Sequence, residues 1–323
     1  MRILVTGGTG FLGSHLTRRL LDLHQDVRIL GRDFNAVTAL VQAGATPIPA
    51  DLTTHQAVVD ACAGMDVVFH VAALSAPWGA AANFYATNVD GTAAVVKGCA
   101  QHGVKRLVYV SSPSVVFDGR DQIDVNELAP YPHQFTSTYA KTKKLGEDLV
   151  NNAAAAGLDT VTLRPKAIFG PGDRALLPRL IAAARQGRLR RFGDGSNLVD
   201  LTYIDNVVQA LVLAMQAPAA QGRTYFITND EHPALWPLIE CVLHELGLPP
   251  LRGMPVSVAM SAARMMETQS VFTRREPLLT RYTVAILTRT QTYDISAART
   301  DLSYAPHVSV AEGIRRTLVA LRS

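Results

Sequence analysis

Cysteine is scarce in this chain: Cys62, Cys99 and Cys241 are far apart and odd in number. That excludes a disulfide framework or a cysteine-rich metal cage and suits reduced, buried thiols in a cytoplasmic protein. Lysine is absent after Lys166, so the second half carries its positive charge as arginine alone. The arginines are scattered, and no basic stripe with interleaved aromatic residues forms, which argues against nucleic acid as a partner. Long apolar runs are missing too. Ile3-Leu4-Val5 is far too short for a signal sequence. The charge-free stretch from Gly253 to Ala263, closed by Arg252 and Arg264, falls short of the about 20 residues that cross a bilayer. The expectation is a soluble, cytoplasmic protein without a transmembrane segment and with at most peripheral membrane contact. The nine histidines show no ligand spacing, so no metal site is expected, and His70 reads as a satisfied strand-end residue.

What the chain does have is size and alternation. Its 323 residues, 48% hydrophobic and 18% charged, suffice for a large core. Short β-branched runs read as strands: "RILVT" (2–6), "DVRIL" (26–30), "TPIPA" (46–50), "DVVFHVA" (66–72), "RLVYVSS" (106–112), "TVTLR" (160–164) and, later, "TYFIT" (224–228). Between them the spacing turns helical, as in Leu12, Leu16, Leu20 and Leu23, or in 203–217. Strands alternating with helices imply a parallel sheet covered on both faces. From Leu248 to Thr290 the chain is rich in Met, Pro and Arg, and its pattern predicts irregular structure that could serve as a mobile lid over 254–290.

"LVTGGTGFLGSHL" follows the first strand and opens the first helix, with Gly7, Gly10 and Gly13 three apart. Small residues at this spacing let backbone N–H groups approach a pyrophosphate at a helix N-terminus. The expected fold is therefore α/β, a Rossmann-like doubly wound parallel sheet with a smaller, discontinuous C-terminal substrate domain. Residues 1–165, rejoined by 203–230, would form the dinucleotide-binding part; 166–202 and 231–323 would form the substrate-binding region. At the end of the second strand, "ILGRD" puts Gly31 where an acidic residue would meet the ribose hydroxyls of NAD, and Arg32 follows. An arginine there suits a 2′-phosphate, so NADP(H) is expected in preference to NAD(H), although Asp33 is one place later.

"TSTYAKTKKLGE" (136–147) places a phenol among three lysines at a helix start. At about 100° per residue, Lys143 lies only about 40° around from Tyr139, while Lys141 and Lys144 point elsewhere. A phenol titrates near 10, and an adjacent cation would lower that value toward neutrality.

The glycine loop (6–13), the Tyr139/Lys143 pair and "YVSSPSV" (109–115) together resemble the extended short-chain dehydrogenase/reductases, over nearly the whole chain. "LRPKAIFGPGD" (163–173), "FGDGSNLVDLTYIDN" (192–206) and "EPLLTRY" (276–282) are similar to the 3β-hydroxysteroid dehydrogenase/isomerase branch, particularly bacterial members such as the 2-alkyl-3-ketoalkanoate reductases. The resemblance implies Tyr139 as general acid/base, Lys143 as its electrostatic partner and ribose anchor, and Ser112 as the hydroxyl on the substrate oxygen, with Ser111 and Ser114 as alternatives. It also implies a cofactor set of Gly7, Thr9, Gly10, Phe11, Leu12 and Gly13 in the loop and Arg32 beyond the second strand. Asp51 and Leu52 would flank the adenine, Ala72 and Ala73 the phosphates, and Asn88, Pro165 and Ile168 would complete the set. It further implies a homodimer.

The implied reaction interconverts a ketone and a secondary alcohol on an apolar substrate, such as a β-keto acid or a steroid-like carbonyl. Nucleotide-sugar epimerases and dehydratases of the same superfamily are the rival class, beside a non-catalytic NADP-binding sensor. Val199 stands where the rivals place an arginine against the sugar diphosphate, and a buried diphosphate without a cation is costly. Met254, Met260, Met265 and Met266 either line an apolar pocket or fill core. Arg274, Arg275 and Arg281 are candidates to hold a carboxylate at its mouth.

Overall fold

The computed structural model describes residues 1–273 and 275–322. Seven runs rich in Val, Ile and Leu form one parallel sheet: β1 (Arg2–Thr6), β2 (Asp26–Gly31), β3 (Thr46–Pro49), β4 (Val67–His70), β5 (Arg106–Val110), β6 (Thr160–Pro165) and β7 (Arg223–Ile227). Their order is β3-β2-β1-β4-β5-β6-β7, the Rossmann-like arrangement. Side chains alternate across the sheet, so Ile3 and Val5 enter one core while Leu4 enters the other. Helices Phe11–Asp22 and Ile204–Gln216 pack together on the first face. Helices His55–Ala61, Gly91–Gln101 and Thr138–Ala155 cover the second. The chain leaves β3 and re-enters on the far side of β1 as β4. This reversal of direction opens a crevice at the C-terminal ends of the two strands.

A third, smaller core gathers Phe192, Val199, Trp236, Ile239, Ala263 and Val284. Here the sequence expectation fails. Most of the segment is helical: Val256–Thr273 is an 18-residue helix and Arg281–Thr288 a second one. Between Pro255 and Pro277 only one glycine-free, proline-free stretch exists, and Ala259, Ala263 and Ser270 recur at helical spacing on its buried side. The Trp236 indole N–H donates to the Leu287 carbonyl at 3.0 Å and ties the second helix to the small core. The tail also departs from expectation. Tyr293, Ile295, Leu302, Tyr304 and Ile314 share the large core with the sheet rather than the small one. Among the described residues no helix is long and apolar enough to cross a membrane.

Candidate active site

The crevice begins at the glycine loop. Gly7 sits at φ +69°, and a Cβ on it would stand 2.8 Å from the Ala72 Cα. At Gly13 an added Cβ would stand 2.1 Å from the Gly7 carbonyl oxygen, so the helix can start this close to the loop only without a side chain. The Gly10 N–H donates to the Gly7 carbonyl at 2.9 Å and closes the turn. No side chain caps the helix at Gly10, and its first turn carries no acidic residue. Its free N–H groups and positive dipole end are available to an anion. The cradle fits a dinucleotide's pyrophosphate.

From this loop a cleft of about 770 Å³ runs along the strand ends to Tyr139. Every cofactor residue expected from sequence lines it except Asn88. Asn88 is buried in the wide helical turn Ala86–Asp90. Its side-chain oxygen accepts from the Leu74 N–H at 2.7 Å, and its amide donates to the Leu74 carbonyl at 3.1 Å and the Thr142 hydroxyl at 3.0 Å. Asn88 thus pins the loop after β4 to the Thr138–Ala155 helix. Arg32 reaches the cleft beyond the end of β2, 81% exposed and 3.4 Å from the Asp51 carboxylate. The cleft also includes Gly172, Asp173 and Arg174, which sequence reasoning missed, and Ser111, which the sequence offered only as an alternative to Ser112. The Ser111 hydroxyl is buried and has no hydrogen-bond partner among the described residues.

At the far end Ser137 caps the Thr138–Ala155 helix by accepting from the Ala140 N–H at 3.1 Å, which fixes Tyr139 in the first turn. Ser112 stands opposite, at the end of β5. Its oxygen accepts from the Ser114 N–H at 3.3 Å and the Ser114 hydroxyl at 3.0 Å, leaving its own proton to donate. Burial pushes the Tyr139 phenol up to about 12, and the Ser112 hydroxyl pulls the other way. The Lys143 ammonium has partners of its own. Its Nζ donates to the Val110 carbonyl at 2.7 Å and lies 4.1 Å from the centre of the Tyr109 ring. Burial brings Lys143 down to about 7, while Glu147 opposes that shift. His70 is fully engaged, with Nδ1 2.8 Å from the Thr6 hydroxyl and Nε2 2.9 Å from that of Thr92. Burial, aided by Lys143, brings it down to about 3, so it is neutral.

A second, apolar pocket of about 920 Å³ opens on the other side of Tyr139, which lines both cavities together with Ser75 and Ala175. Its walls include Leu180, Leu238, Ile239, Met254, Met266 and Leu287. Val199 lines neither cavity and sits in the small core. Met254 and Met266 face the pocket, whereas Met260 and Met265 do not. The cations on its rim are Arg179, Arg188 and Arg190, none of them singled out from sequence. Arg281 is committed to Glu267, which accepts from both its backbone N–H and its Nε at 2.7 Å. Arg275 lines neither cavity, and Arg274 lies outside the described residues. Tyr282 adds a second phenol beside Tyr139 in the pocket wall.

Residues 4–256 match the 3-beta hydroxysteroid dehydrogenase/isomerase family. The chain is 40% identical over 326 residues to the 2-alkyl-3-oxoalkanoate reductase of Stenotrophomonas maltophilia (strain K279a), covering 98% of each protein. It is 35% identical to the decarboxylating sterol-4-alpha-carboxylate 3-dehydrogenase of Schizosaccharomyces pombe, over 98% of this chain and 97% of that one. Among solved structures, MoeE5 in complex with UDP-glucose and NAD superposes with a TM-score of 0.79 at 27% identity, covering 100% of this chain and 99% of that one.

Proposed function

From a chain that belongs to the 3-beta hydroxysteroid dehydrogenase/isomerase family, and so to the NAD(P)-dependent dehydrogenases and reductases, we propose an NADP(H)-dependent reductase of apolar ketones. The observation that carries this reading is the place of Tyr139, where the polar cleft and the apolar pocket meet. A bound nicotinamide supplies the hydride. The protein's own residues deal with the charge that builds on the carbonyl oxygen. Ser112 donates a hydrogen bond there, and Tyr139 delivers the proton. With its phenol raised to about 12, Tyr139 is protonated at neutral pH, the state that reduction requires. Lys143 in its charged form stabilises the phenolate that remains once the proton has left.

NADP(H) preference rests on two features at the end of β2. Gly31 offers no carboxylate to the ribose hydroxyls, and the exposed Arg32 guanidinium, only loosely tied to Asp51, is available for a 2′-phosphate. The apolar walls suit alkyl chains or fused rings, and Arg179, Arg188 and Arg190 suit an anionic head such as the carboxylate of a β-keto acid. Those same arginines are the one feature that favours a sugar diphosphate, the rival substrate. A panel of NADPH-dependent reductions decides between them. With β-keto acids and ketones of growing apolar size, kcat/KM should rise along the series, each buried methylene adding at most about 0.8 kcal/mol. Turnover of UDP-sugars, or no gain with apolar size, would overturn the proposal.

A further inference from the structure

One turn beyond Lys143 on the same helix stripe lies Glu147, 1% exposed, spaced from Lys143 as Lys143 is from Tyr139. Its carboxylate is closed in from behind. Arg164, 3% exposed, donates through Nε to Oε1 at 2.8 Å and through Nη2 to Oε2 at 2.7 Å. The Tyr131 hydroxyl donates to Oε2 at 2.7 Å and accepts from Arg164 Nη2 at 3.1 Å. On its other side Arg164 meets the Phe226 ring and the field of Glu127, whose carboxylate accepts from the Phe226 N–H. A buried ion pair of this kind is weak evidence for stability, because apolar residues of similar volume often do as well.

One turn back on the same buried stripe lies Lys143. Four titratable groups belong to its neighbourhood: His70 from β4, Tyr109 from β5, and, one turn to either side on its own helix, Tyr139 and Glu147. The imidazole is neutral and both phenols are protonated, so Glu147 is the group in that shell with a formal charge. We propose that Glu147 and Arg164 are positioning residues that set the charge state of Lys143: Glu147 holds the buried ammonium in its charged form, and Arg164 limits how strongly. Burial works against the ammonium, and the Glu147 carboxylate is the group that opposes it. The inference rests on reading Lys143 as the partner of Tyr139, but its test needs neither cofactor nor substrate.

Lysine occurs only at positions 97, 105, 141, 143, 144 and 166, so the full chain grown with 13Cε-labelled lysine yields a short spectrum. Lys143→Arg assigns the signal by its loss. Following that signal through a pH titration reads the midpoint of Lys143 directly. Glu147→Gln should lower it by about one unit or more, and Arg164→Gln should raise it by a similar amount. A merely structural pair would lower the melting temperature of both variants without moving the midpoint in opposite directions, and that result overturns the proposal. Glu147→Asp keeps the charge one methylene farther back. Its midpoint should lie below wild type and above Glu147→Gln, and an unmoved or raised midpoint overturns the proposal even if the other variants do not fold. Opposed shifts in a protein that reduces no ketone would leave this inference standing and remove the proposed function instead.

Discussion

Alanine at Gly13 is the sharpest perturbation of the cofactor cradle. Its Cβ would stand 2.1 Å from the Gly7 carbonyl oxygen, 2.7 Å from the Gly7 carbonyl carbon and 2.9 Å from the Gly8 Cα. All three are backbone atoms, so no side chain can swing aside, and the turn must move by about 1 Å to reach ordinary contact distance. Overpacking of this kind costs about 1–3 kcal/mol, while the better helix propensity of alanine returns at most about 1 kcal/mol. A net loss of about 1–2 kcal/mol lowers the melting temperature of a chain this long by roughly 1.5–3 °C. The same movement displaces the N–H groups offered to the pyrophosphate. Losing two charge-assisted hydrogen bonds at about 1.5 kcal/mol each raises the NADPH Kd by roughly two powers of ten. Gly10→Ala is the control for stability. Its Cβ meets only the Gly7 oxygen, at 3.2 Å, and its backbone is extended, at φ −85°. It should melt within about 1 °C of wild type, a cost well under 1 kcal/mol. Calorimetry and NADPH fluorescence titration measure both quantities. A Gly13→Ala protein that melts and binds like wild type, or a Gly10→Ala protein equally damaged in stability, would refute the reasoning.

Tyr139→Phe should leave NADPH binding nearly intact and lower turnover by roughly two to four powers of ten, the usual worth of a general acid; wild-type turnover in a steady-state assay would remove the acid role. Arg32→Ala should weaken NADPH while leaving NADH almost untouched, and equal affinities of the wild type for the two cofactors by fluorescence titration would contradict the preference. His70 titrates at about 3 when folded, against an ordinary 6.5. Its neutral form is the folded one, so its contribution is complete above pH 6.5 and is lost as pH falls toward 3, by at most about 5 kcal/mol. Urea midpoints between pH 7 and 4 should therefore fall more steeply in wild type than in His70→Gln, and parallel slopes would count against that account.

Much of the scaffold was legible in the chain because it is locally encoded. Period-two runs such as "RILVT" and the leucines at 12, 16 and 20 select strand and helix from their own neighbourhood. The glycines of the first loop declare a close approach, and the spacing of Tyr139 and Lys143 needs only the pitch of one helix. The helix over 256–273 escaped notice because its buried stripe is made of Ala and Ser rather than Leu, so hydrophobic periodicity is faint.

What only the tertiary structure decided is where each side chain ends up relative to segments far away in the chain. Asn88 meets Leu74 and Thr142 instead of the cleft. Val199 turns into the small core, and the pocket's cations come from Arg179, Arg188 and Arg190. The charge states at Tyr139 and Lys143 follow from burial, which no local spacing encodes and which outweighs the mutual effect expected of a phenol and an ammonium one turn apart. Glu147 likewise acquires its meaning only when β6 brings Arg164 behind it. Sequence spacing sets which neighbours share a helix face; folding sets which of them are removed from water, and removal from water decides their chemistry.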